Sequence, residues 1–424
     1  MRVPASDLTR QRRPLCGSGR PPWSWWHVTL AAYVILVAVL VPRHEPWFDE
    51  AQAWLLARDA DPVHLFLRQL HYEGTPGLWH ALLMVPAKLG LPYWTMNAVS
   101  ALLGSLAVLL VVRCSPFPWP VKLLLPFSYF VFYQYAVVAR NYSLLAPQLF
   151  LVAIVYPKRF ERVVLYTGLL VLVANVSGHG AMIAGSLMAV HAVQTLRRWR
   201  SLPPASRRAH VVAFGAFAAV AGFIAFQLLP IPPDLDFPHG FPVTPETLAA
   251  NGGAMIDGAL GDHPVLTLVV LVVCVAYMAR ARTLAAYLVP TSAVVVFSTF
   301  AFRNVWHDGI LFLLLVFGLW LAMAARPEPA TARWPVLLLV AIVPLLALHV
   351  SWSARSFLYD VQSPYSGSRE LAAFLRDDPR ARGAVVYGTG FASFAVMPYL
   401  DHNPFANYND GERPVYWPWS TKST

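Results

Sequence analysis

The sequence is poor in charged residues and in cysteine, and both shortages restrict what the chain can be. Charged side chains make up 13% of the 424 residues, against about 25% in soluble domains, whereas 57% are hydrophobic. This balance excludes an ordinary soluble globular protein. The three cysteines, Cys16, Cys114 and Cys274, form no CxxC pair, so neither a disulfide nor a zinc site is expected.

Long apolar runs take the place of the missing charge. Roughly eleven runs have about 16 to 20 residues each, the length that crosses the ~30 Å hydrocarbon core of a bilayer. They lie at about 26–42, 95–112, 121–138, 142–157, 162–177, 180–196, 210–230, 264–279, 283–300, 307–325 and 333–350. The sequence therefore predicts an all-α polytopic membrane protein that contacts membrane lipids.

Short basic connectors between these runs predict the orientation. The net charge of +10 is divided among them instead of forming one long basic face, so no nucleic-acid partner is expected. By the positive-inside rule the connectors face the cytoplasm. The run at 77–90 is about 14 residues long, too short to span, and we interpret it as a helix on the outer surface.

This topology divides the chain into three regions. We expect a cytoplasmic basic N-terminus at 1–25 and a transmembrane domain at 26–350, which includes an outer loop at 43–94. The tail at 351–424 follows on the outer side. Its alternating helix-like and strand-like patterns predict a small α/β unit.

An acidic pair, Asp49 and Glu50, follows the first apolar run within the sequence WFDEAQAW at 47–54. Asp49 followed by Gln52 is a capping-box pattern, and Glu50 is favourable in the first turn of a helix. A carboxylate at this position can also accept a proton from a hydroxyl if partial burial raises its pKa. The residues alone leave both interpretations open.

A second polar motif, HYEGTPGLW at 71–79, provides His71 and Glu73 in the same outer loop. These side chains are candidates for contacts with an acceptor or a sugar. A His-x-Glu pair can also contribute to a metal site, but the sequence shows no third ligand. No cofactor is therefore expected, and a divalent metal remains an alternative.

Cationic and aromatic residues stand at the outer ends of several apolar runs, on the same side as the acidic pair. They are Arg140, Tyr142, His179, Arg303 and His307. An arginine there can simply extend toward lipid headgroups, or its planar fork can bind one specific phosphate. Ionisable residues at span ends are functional candidates, so together they predict a cationic floor for a donor phosphate.

Three of these motifs, WFDEAQAW, HYEGTPGLW and ARNYSLL, resemble the GT-C superfamily of integral membrane glycosyltransferases. The resemblance is closest to bacterial relatives of protein O-mannosyltransferases and lipid A aminoarabinose transferases, and it covers about residues 26–325. It implies a GT-C-like fold and a polyprenyl-phosphate sugar donor, with Asp49 as catalytic base and Glu50 as its neighbour. The family often has a His-Pro-Pro element where this chain has Thr75-Pro76-Gly77.

The expected function is inverting transfer of a sugar to a hydroxyl of an envelope glycan, lipid or protein, on the outer face of a bacterial plasma membrane. Two alternatives remain, a transporter or flippase for lipid-linked sugars and a noncatalytic binding protein. A transporter should place polar groups near the bilayer midplane, whereas here they concentrate at the outer ends of the runs. Replacement of Asp49 by Asn should abolish transfer but leave a binding protein intact.

Overall fold

The computed structural model describes residues 25–237, 240–261, 263–329, 332–381, 383–406 and 413–422. All regular secondary structure in these ranges is helical, apart from isolated bridges between Leu235 and Ser420 and between Val386 and Phe405. The expectation of an all-helical membrane protein is confirmed. The predicted N-terminal region 1–25 lies outside the described residues except for Trp25, which begins the first helix.

The helices follow one another along the whole described chain. In chain order the α-helices are α1 (Trp25–Leu40), α2 (Phe48–Asp59), α3 (Pro62–His64), α4 (Leu70–Glu73), α5 (Leu78–Lys88), α6 (Thr95–Cys114), α7 (Trp119–Leu124), α8 (Leu145–Val155), α9 (Val163–Ala174), α10 (Gly178–Arg198), α11 (Pro204–Leu228), α12 (Pro245–Leu260), α13 (Pro264–Arg280), α14 (Ala285–Phe300), α15 (Val305–Ala325), α16 (Arg333–Gln362) and α17 (Ser368–Asp377). Short 3₁₀ helices lie at Leu125–Phe127, Asn141–Leu144, Tyr156–Lys158, Trp199–Ser201 and Gly390–Tyr399, and π-helical turns at Leu65–Gln69 and Phe130–Gln134.

Fewer helices than expected have the length and composition of a membrane span. Within the described residues four helices meet both criteria, namely α6, α11, α15 and α16. The pair α12 and α13 would add a fifth span, although these two helices meet at 91°. Most of the other predicted runs are helical but shorter, and the predicted run 121–138 is interrupted. Pro126 provides no backbone N–H there, and α7 gives way to a 3₁₀ turn.

Two expected boundaries differ in the structure. α16 continues to Gln362 and therefore crosses the expected domain boundary at 350. The region 231–263, which separates two of the predicted apolar runs, contains α12. Thr244 caps this helix by accepting a hydrogen bond from Thr247 N, and Gly261 ends it with a φ of +108°. Such a start and stop define a helix even in a segment that is rich in proline and glycine.

The tail is only partly as expected. Its described residues form the end of α16, the helix α17 and the 3₁₀ helix Gly390–Tyr399. The strand-like segment at 383–388 contributes one bridge residue, Val386, and none of the described tail residues belongs to a strand. The α/β unit is therefore not confirmed.

The two described cysteines differ in state. Cys114, the last residue of α6, is disulfide-bonded, so the expectation of no disulfide is wrong at this position. Cys274 is a buried free thiol within α13.

The helix α2 is the element that positions the acidic pair. Phe48 and Leu55 pack with Phe394 and Trp417 of the tail, whereas Trp54 packs into the main core of the bundle. On another side α2 packs against α5, the short helix expected at 77–90. Because α2 is held between the bundle and the tail, its side chains have fixed positions.

Candidate functional site

Asp49 and Arg140 form an ion pair at one end of the helical bundle. Asp49 Oδ2 lies 2.8 Å from Arg140 Nη2, and the two side chains are 25% and 16% exposed, respectively. Burial raises the pKa of Asp49 above its ordinary value; Arg140 opposes this rise, and the charge of Glu50 adds to it. Asp49 is thus a partly accessible carboxylate with enhanced basicity.

Aromatic rings surround the Arg140 guanidinium. Its Cζ lies 4.4 Å from the ring centre of Trp306, 5.6 Å from that of Tyr142 and 5.8 Å from that of Trp47. Arg140 Nη1 is buried and has no hydrogen-bond partner among the described residues. The arginine therefore keeps an unused N–H donor beside Asp49, which suits an oxygen of a phosphate group.

Two histidines continue the site from Tyr142. The ring centre of Tyr142 lies 5.7 Å from that of His307 and 6.4 Å from that of His179, and the two imidazole rings are 4.3 Å apart. Structural contacts occupy one nitrogen of each ring, since His179 Nε2 bonds Ser298 Oγ at 2.9 Å and His307 Nδ1 accepts from Asn304 N at 3.1 Å. The structure therefore brings these predicted residues together with Arg140.

Arg303 is committed to another ion pair. Its Nε and Nη2 donate to the two carboxylate oxygens of Asp308 at 3.2 and 2.9 Å, and Nη2 also donates to the carbonyl oxygen of Ala254 at 3.0 Å. The bond to Ala254 ties the start of α15 to α12, and Asp308 is only 1% exposed. Arg303 lies near the site, but its charge is balanced by this partner.

Glu50 differs from Asp49 in being fully buried. It accepts hydrogen bonds from Trp47 N at 3.2 Å, Ala139 N at 2.7 Å and Asn97 Nδ2 at 3.3 Å, and it contacts His44 Nε2 at 3.2 Å. These partners come from the start of α2, from α6 and from the residues just before Arg140. Glu50 therefore connects the start of α2, which carries Asp49, to the segment that carries Arg140.

The capping interaction at α2 differs from the sequence pattern. Glu50, at the third position of the helix, accepts from the backbone N–H of Trp47, whereas Gln52 bonds to other groups. The interpretation of Asp49 and Gln52 as a capping box, one of the two left open by the sequence, is therefore wrong. As a result, the Asp49 carboxylate is not used as a helix cap and remains available to Arg140.

His44, which the sequence reasoning did not select, joins two buried carboxylates. Its Nδ1 lies 2.8 Å from Asp360 Oδ2, opposite the nitrogen that contacts Glu50. Tyr133 Oη donates to both oxygens of Asp360 at 3.0 Å. Burial alone would lower the pKa of His44, but Glu50 and Asp360 together raise it to about 9. The histidine is therefore a buried cation at neutral pH.

Glu73 is the second carboxylate with unusual acidity. Its Oε1 accepts from Gln52 Nε2 at 2.9 Å and from Gln69 Nε2 at 3.2 Å. Burial raises its pKa to about 7 against the effect of these bonds and of a bond from Trp419, and the charge of Asp49 adds to the rise. Asp49 and Glu73 are therefore close enough to interact electrostatically.

His71 has a different environment from Glu73. Its ring centre lies 5.7 Å from that of Phe226 in α11, and its Nδ1 is buried without a hydrogen-bond partner among the described residues. The described ranges contain no group of three or more His, Cys, Asp or Glu side chains arranged to hold a metal ion.

Comparisons with protein families, curated proteins and solved structures found no match to this chain.

Proposed function

We propose that this chain is an inverting glycosyltransferase of the GT-C type that takes a sugar from a polyprenyl-phosphate donor and transfers it to a hydroxyl of an envelope acceptor. The observation that carries the proposal is the Asp49–Arg140 pair. It combines a partly exposed carboxylate of raised pKa with an arginine that has an unused N–H donor. The pair lies at the end of apolar helices, where a lipid-linked substrate can place its headgroup.

The chemistry requires one base and one site for the leaving group. The acceptor hydroxyl transfers its proton to Asp49 while its oxygen attacks the anomeric carbon of the donor sugar. The bond from that carbon to the phosphate oxygen breaks, and its electron pair leaves with the polyprenyl phosphate. Arg140 stabilises the resulting charge, and Tyr142, His179 and His307 form the adjoining wall. A single displacement inverts the configuration at the sugar carbon.

The ion pair also links donor binding to base activation. Arg140 lowers the pKa of Asp49 in the ion pair. When a donor phosphate competes for the guanidinium, this lowering weakens and Asp49 becomes more basic. The base therefore reaches its full strength only when the leaving group is in place, which limits proton abstraction in the absence of the donor.

Aromatic residues and Glu73 form the neighbouring surface, which we assign to the sugar or the acceptor. Phe391 and Trp419 have ring centres 4.8 and 5.7 Å from that of Phe48, directly before Asp49 in the chain. Aromatic faces are suited to packing against sugar rings. Glu73 has a pKa of about 7. At neutral pH its carboxyl group can therefore either donate a hydrogen bond to a sugar hydroxyl or accept one from it.

The membrane arrangement follows from the charge distribution. We propose that roughly eleven segments cross or enter the bilayer, with the shorter apolar helices α1, α9 and α14 spanning beside the longer ones. The basic connectors then face the cytoplasm and the Asp49–Arg140 pair faces the opposite side. With this orientation, the motif resemblance supports the proposal that the protein lies in a bacterial plasma membrane.

Sugar transfer by the purified protein tests the proposal. Labelled polyprenyl-phosphate sugars would be incubated with envelope extracts and with the native chain, Asp49→Asn or Arg140→Ala. The matched control is Asp59→Asn, because Asp59 lies in the same helix and pairs with Arg58 at 2.8 Å. We expect transfer by the native chain and the control, near-complete loss in Asp49→Asn and strong loss in Arg140→Ala.

Two results would contradict the proposed enzymatic activity. Transfer by Asp49→Asn within a few-fold of the native rate would show that Asp49 is not the base. Binding of a donor without release of its sugar, under conditions in which the control is folded, would favour a transporter or a noncatalytic binding protein.

A further inference from the structure

A cavity lined by both polar and apolar residues lies at the other end of the bundle from the Asp49–Arg140 pair. It measures ≈ 180 Å³, and its lining includes Arg159, Gln194, Arg282 and Thr283. The helices α10 and α15 connect the two ends. They begin near the site with His179 and His307 and reach the cavity near their C-termini. A volume of this size holds on the order of ten water-sized groups, so it accommodates a small polar ligand.

Arg159 is fixed in place at this cavity. Its Nη1 donates to the carbonyl oxygen of Tyr156 at 2.8 Å, and its Nη2 donates to Gln194 Oε1 at 2.7 Å. The guanidinium lies over the rings of Tyr156 and Phe160, 3.9 and 4.7 Å from their centres. The Nε–H is buried and has no hydrogen-bond partner among the described residues. The arginine is therefore oriented, with donor capacity unused.

The positive charge at this cavity is only partly balanced, because the nearby Glu328 pairs with Arg280 at 3.3 Å and with Arg326 at 3.0 Å and is not part of the lining. None of the residues that line it is acidic, and Arg198 adds a further cation over the ring of Phe160, 4.7 Å from its centre. A partly buried guanidinium without an anionic partner is costly. An anion bound in the cavity would therefore lower the free energy of the folded state.

Arg282 provides an independent observation. It lies in the turn between α13 and α14 and has a φ of +59°, a left-handed conformation that is unfavourable for residues other than glycine. Glycine or asparagine would fit this turn with less strain. A strained residue is often retained because its side chain has a role, and here the side chain is a second guanidinium at the cavity.

We propose that this cavity is a binding site for a phosphate-bearing anion, with Arg159 and Arg282 as its principal ligands. Two guanidinium groups and the Gln194 amide form a donor set that matches phosphate oxygens, whereas the Thr283 hydroxyl donates to the carbonyl oxygen of Met278 at 3.4 Å. The phosphate can belong to the headgroup of an anionic phospholipid or to a soluble compound. This site is separate from the Asp49–Arg140 pair and does not depend on the proposed transfer reaction.

The test measures stabilisation of the full chain in nanodiscs of phosphatidylcholine. One arm adds inorganic phosphate or pyrophosphate at constant ionic strength, and the other replaces part of the lipid by phosphatidylglycerol. The readout is the midpoint of thermal unfolding, monitored by tryptophan fluorescence.

We expect one arm to raise the midpoint of the native chain. We expect Arg159→Gln to weaken the apparent affinity for the anion of that arm at least tenfold. Arg208→Gln, at an exposed arginine of α11, is the matched control and should respond like the native chain.

A second variant keeps the test decisive if Arg159→Gln does not fold. Arg282→Gly removes a charge and also relieves the left-handed strain, so its midpoint in phosphatidylcholine alone should not fall, while its response to the anion should be lost. The comparison uses whichever arm raises the midpoint of the native chain. If Arg159→Gln or Arg282→Gly responds to that arm as strongly as Arg208→Gln does, the proposed site is refuted and the stabilisation reflects diffuse attraction of anions to the surface. Absence of any response by the native chain in both arms would overturn it as well.

Discussion

Gln52 and Trp417 lie 365 residues apart in the chain and form two hydrogen bonds with each other. Gln52 Nε2 donates to the carbonyl oxygen of Trp417 at 2.8 Å, and Gln52 Oε1 accepts from the backbone N–H of Trp417 at 2.9 Å. The same side-chain amide donates to Glu73 at 2.9 Å. One buried residue of the acidic motif thus connects the outer loop to the C-terminal tail.

Replacement of Gln52 by Leu should detach the tail from this site. The variant removes both bonds to Trp417 and leaves its buried backbone groups without partners, which costs about 2–4 kcal/mol. Hydrogen exchange of residues 413–422 should become faster. Gln69→Leu is the control, because it loses only the 3.2 Å bond to Glu73 and should leave the tail protected. Equal protection in Gln52→Leu and the native chain would refute the connection.

Replacement of Arg140 by Lys should reduce sugar transfer while the positive charge remains. The planar guanidinium of arginine can contact Asp49 with one nitrogen and keep an N–H of the other nitrogen for the phosphate. The single ammonium group of lysine cannot reproduce this geometry. Loss of one charge-assisted hydrogen bond of about 1.5–3 kcal/mol corresponds to a rate decrease on the order of 10- to 100-fold. Because the leaving phosphate gains charge in the transition state, we expect the decrease in kcat. A rise in the KM for the donor with unchanged kcat would instead indicate a simple anchor, and Arg58→Lys controls for general effects.

The site could be predicted from the sequence to the extent that it depends on short motifs and on sidedness. The sequence predicted that Arg140 and Asp49 share the outer ends of the apolar runs, and the structure brings the two side chains into contact at 2.8 Å. The different environments of the two acidic residues, one partly exposed and one buried, were not predictable. Asp49 and Glu50 differ only in which face of α2 each occupies, and packing against the bundle decides that Glu50 is buried.

Long-range contacts account for most of what the sequence did not predict. His44 and Asp360 stand 316 residues apart, and neither belongs to a motif. The contacts of the tail with Gln52 depend on backbone groups of Trp417, which leave no signature in side-chain chemistry. The length of α16 beyond 350 was missed because its later turns mix polar and apolar residues, as expected for a helix that leaves the apolar core.

The raised pKa of Glu73 predicts a stability effect at acidic to neutral pH. Because the folded-state pKa is about 7 and the ordinary value is 4.5, the folded chain retains a proton that the unfolded chain releases. Stability should therefore fall as the pH rises from about 4.5 to about 7. Glu73→Gln mimics the protonated form and should flatten this slope, as measured by unfolding midpoints across the range. The exposed Glu370→Gln variant should keep the native slope; if Glu73→Gln keeps it too, Glu73 is not the group responsible.

His44 predicts a second decline in stability at higher pH. The protonated form is stabilised in the folded state by Glu50 and Asp360, which raises its pKa from 6.5 to about 9. This stabilisation is fully present below about pH 6.5 and is lost as the pH rises through about 9. His44→Gln should be less stable at neutral pH, because two buried carboxylates lose their cation, and its stability should change less between these limits. His64→Gln, at an exposed position, is the control and should decline like the native chain.

Gly104 sets the distance between α6 and the segment that carries Arg140. A Cβ atom at this position would overlap the Cβ of Ala136 and lie 2.8 Å from the hydroxyl of Tyr33, so Gly104→Ala should push the two segments apart at a cost of about 1–3 kcal/mol. The shift reaches the site, because Ala139 N donates to Glu50 at 2.7 Å, and the variant should lose transfer activity as well as stability.

Gly168→Ala in α9 is the matched control for Gly104→Ala, since its Cβ meets no atom within 4 Å. Alanine has a lower conformational cost than glycine in a helix, so this variant should be neutral or more stable by about 0.5–1 kcal/mol. Unfolding midpoints and transfer rates of both variants, measured in one detergent, would separate close packing from helix propensity. If the two variants have the same midpoint, α6 does not require a glycine at this contact.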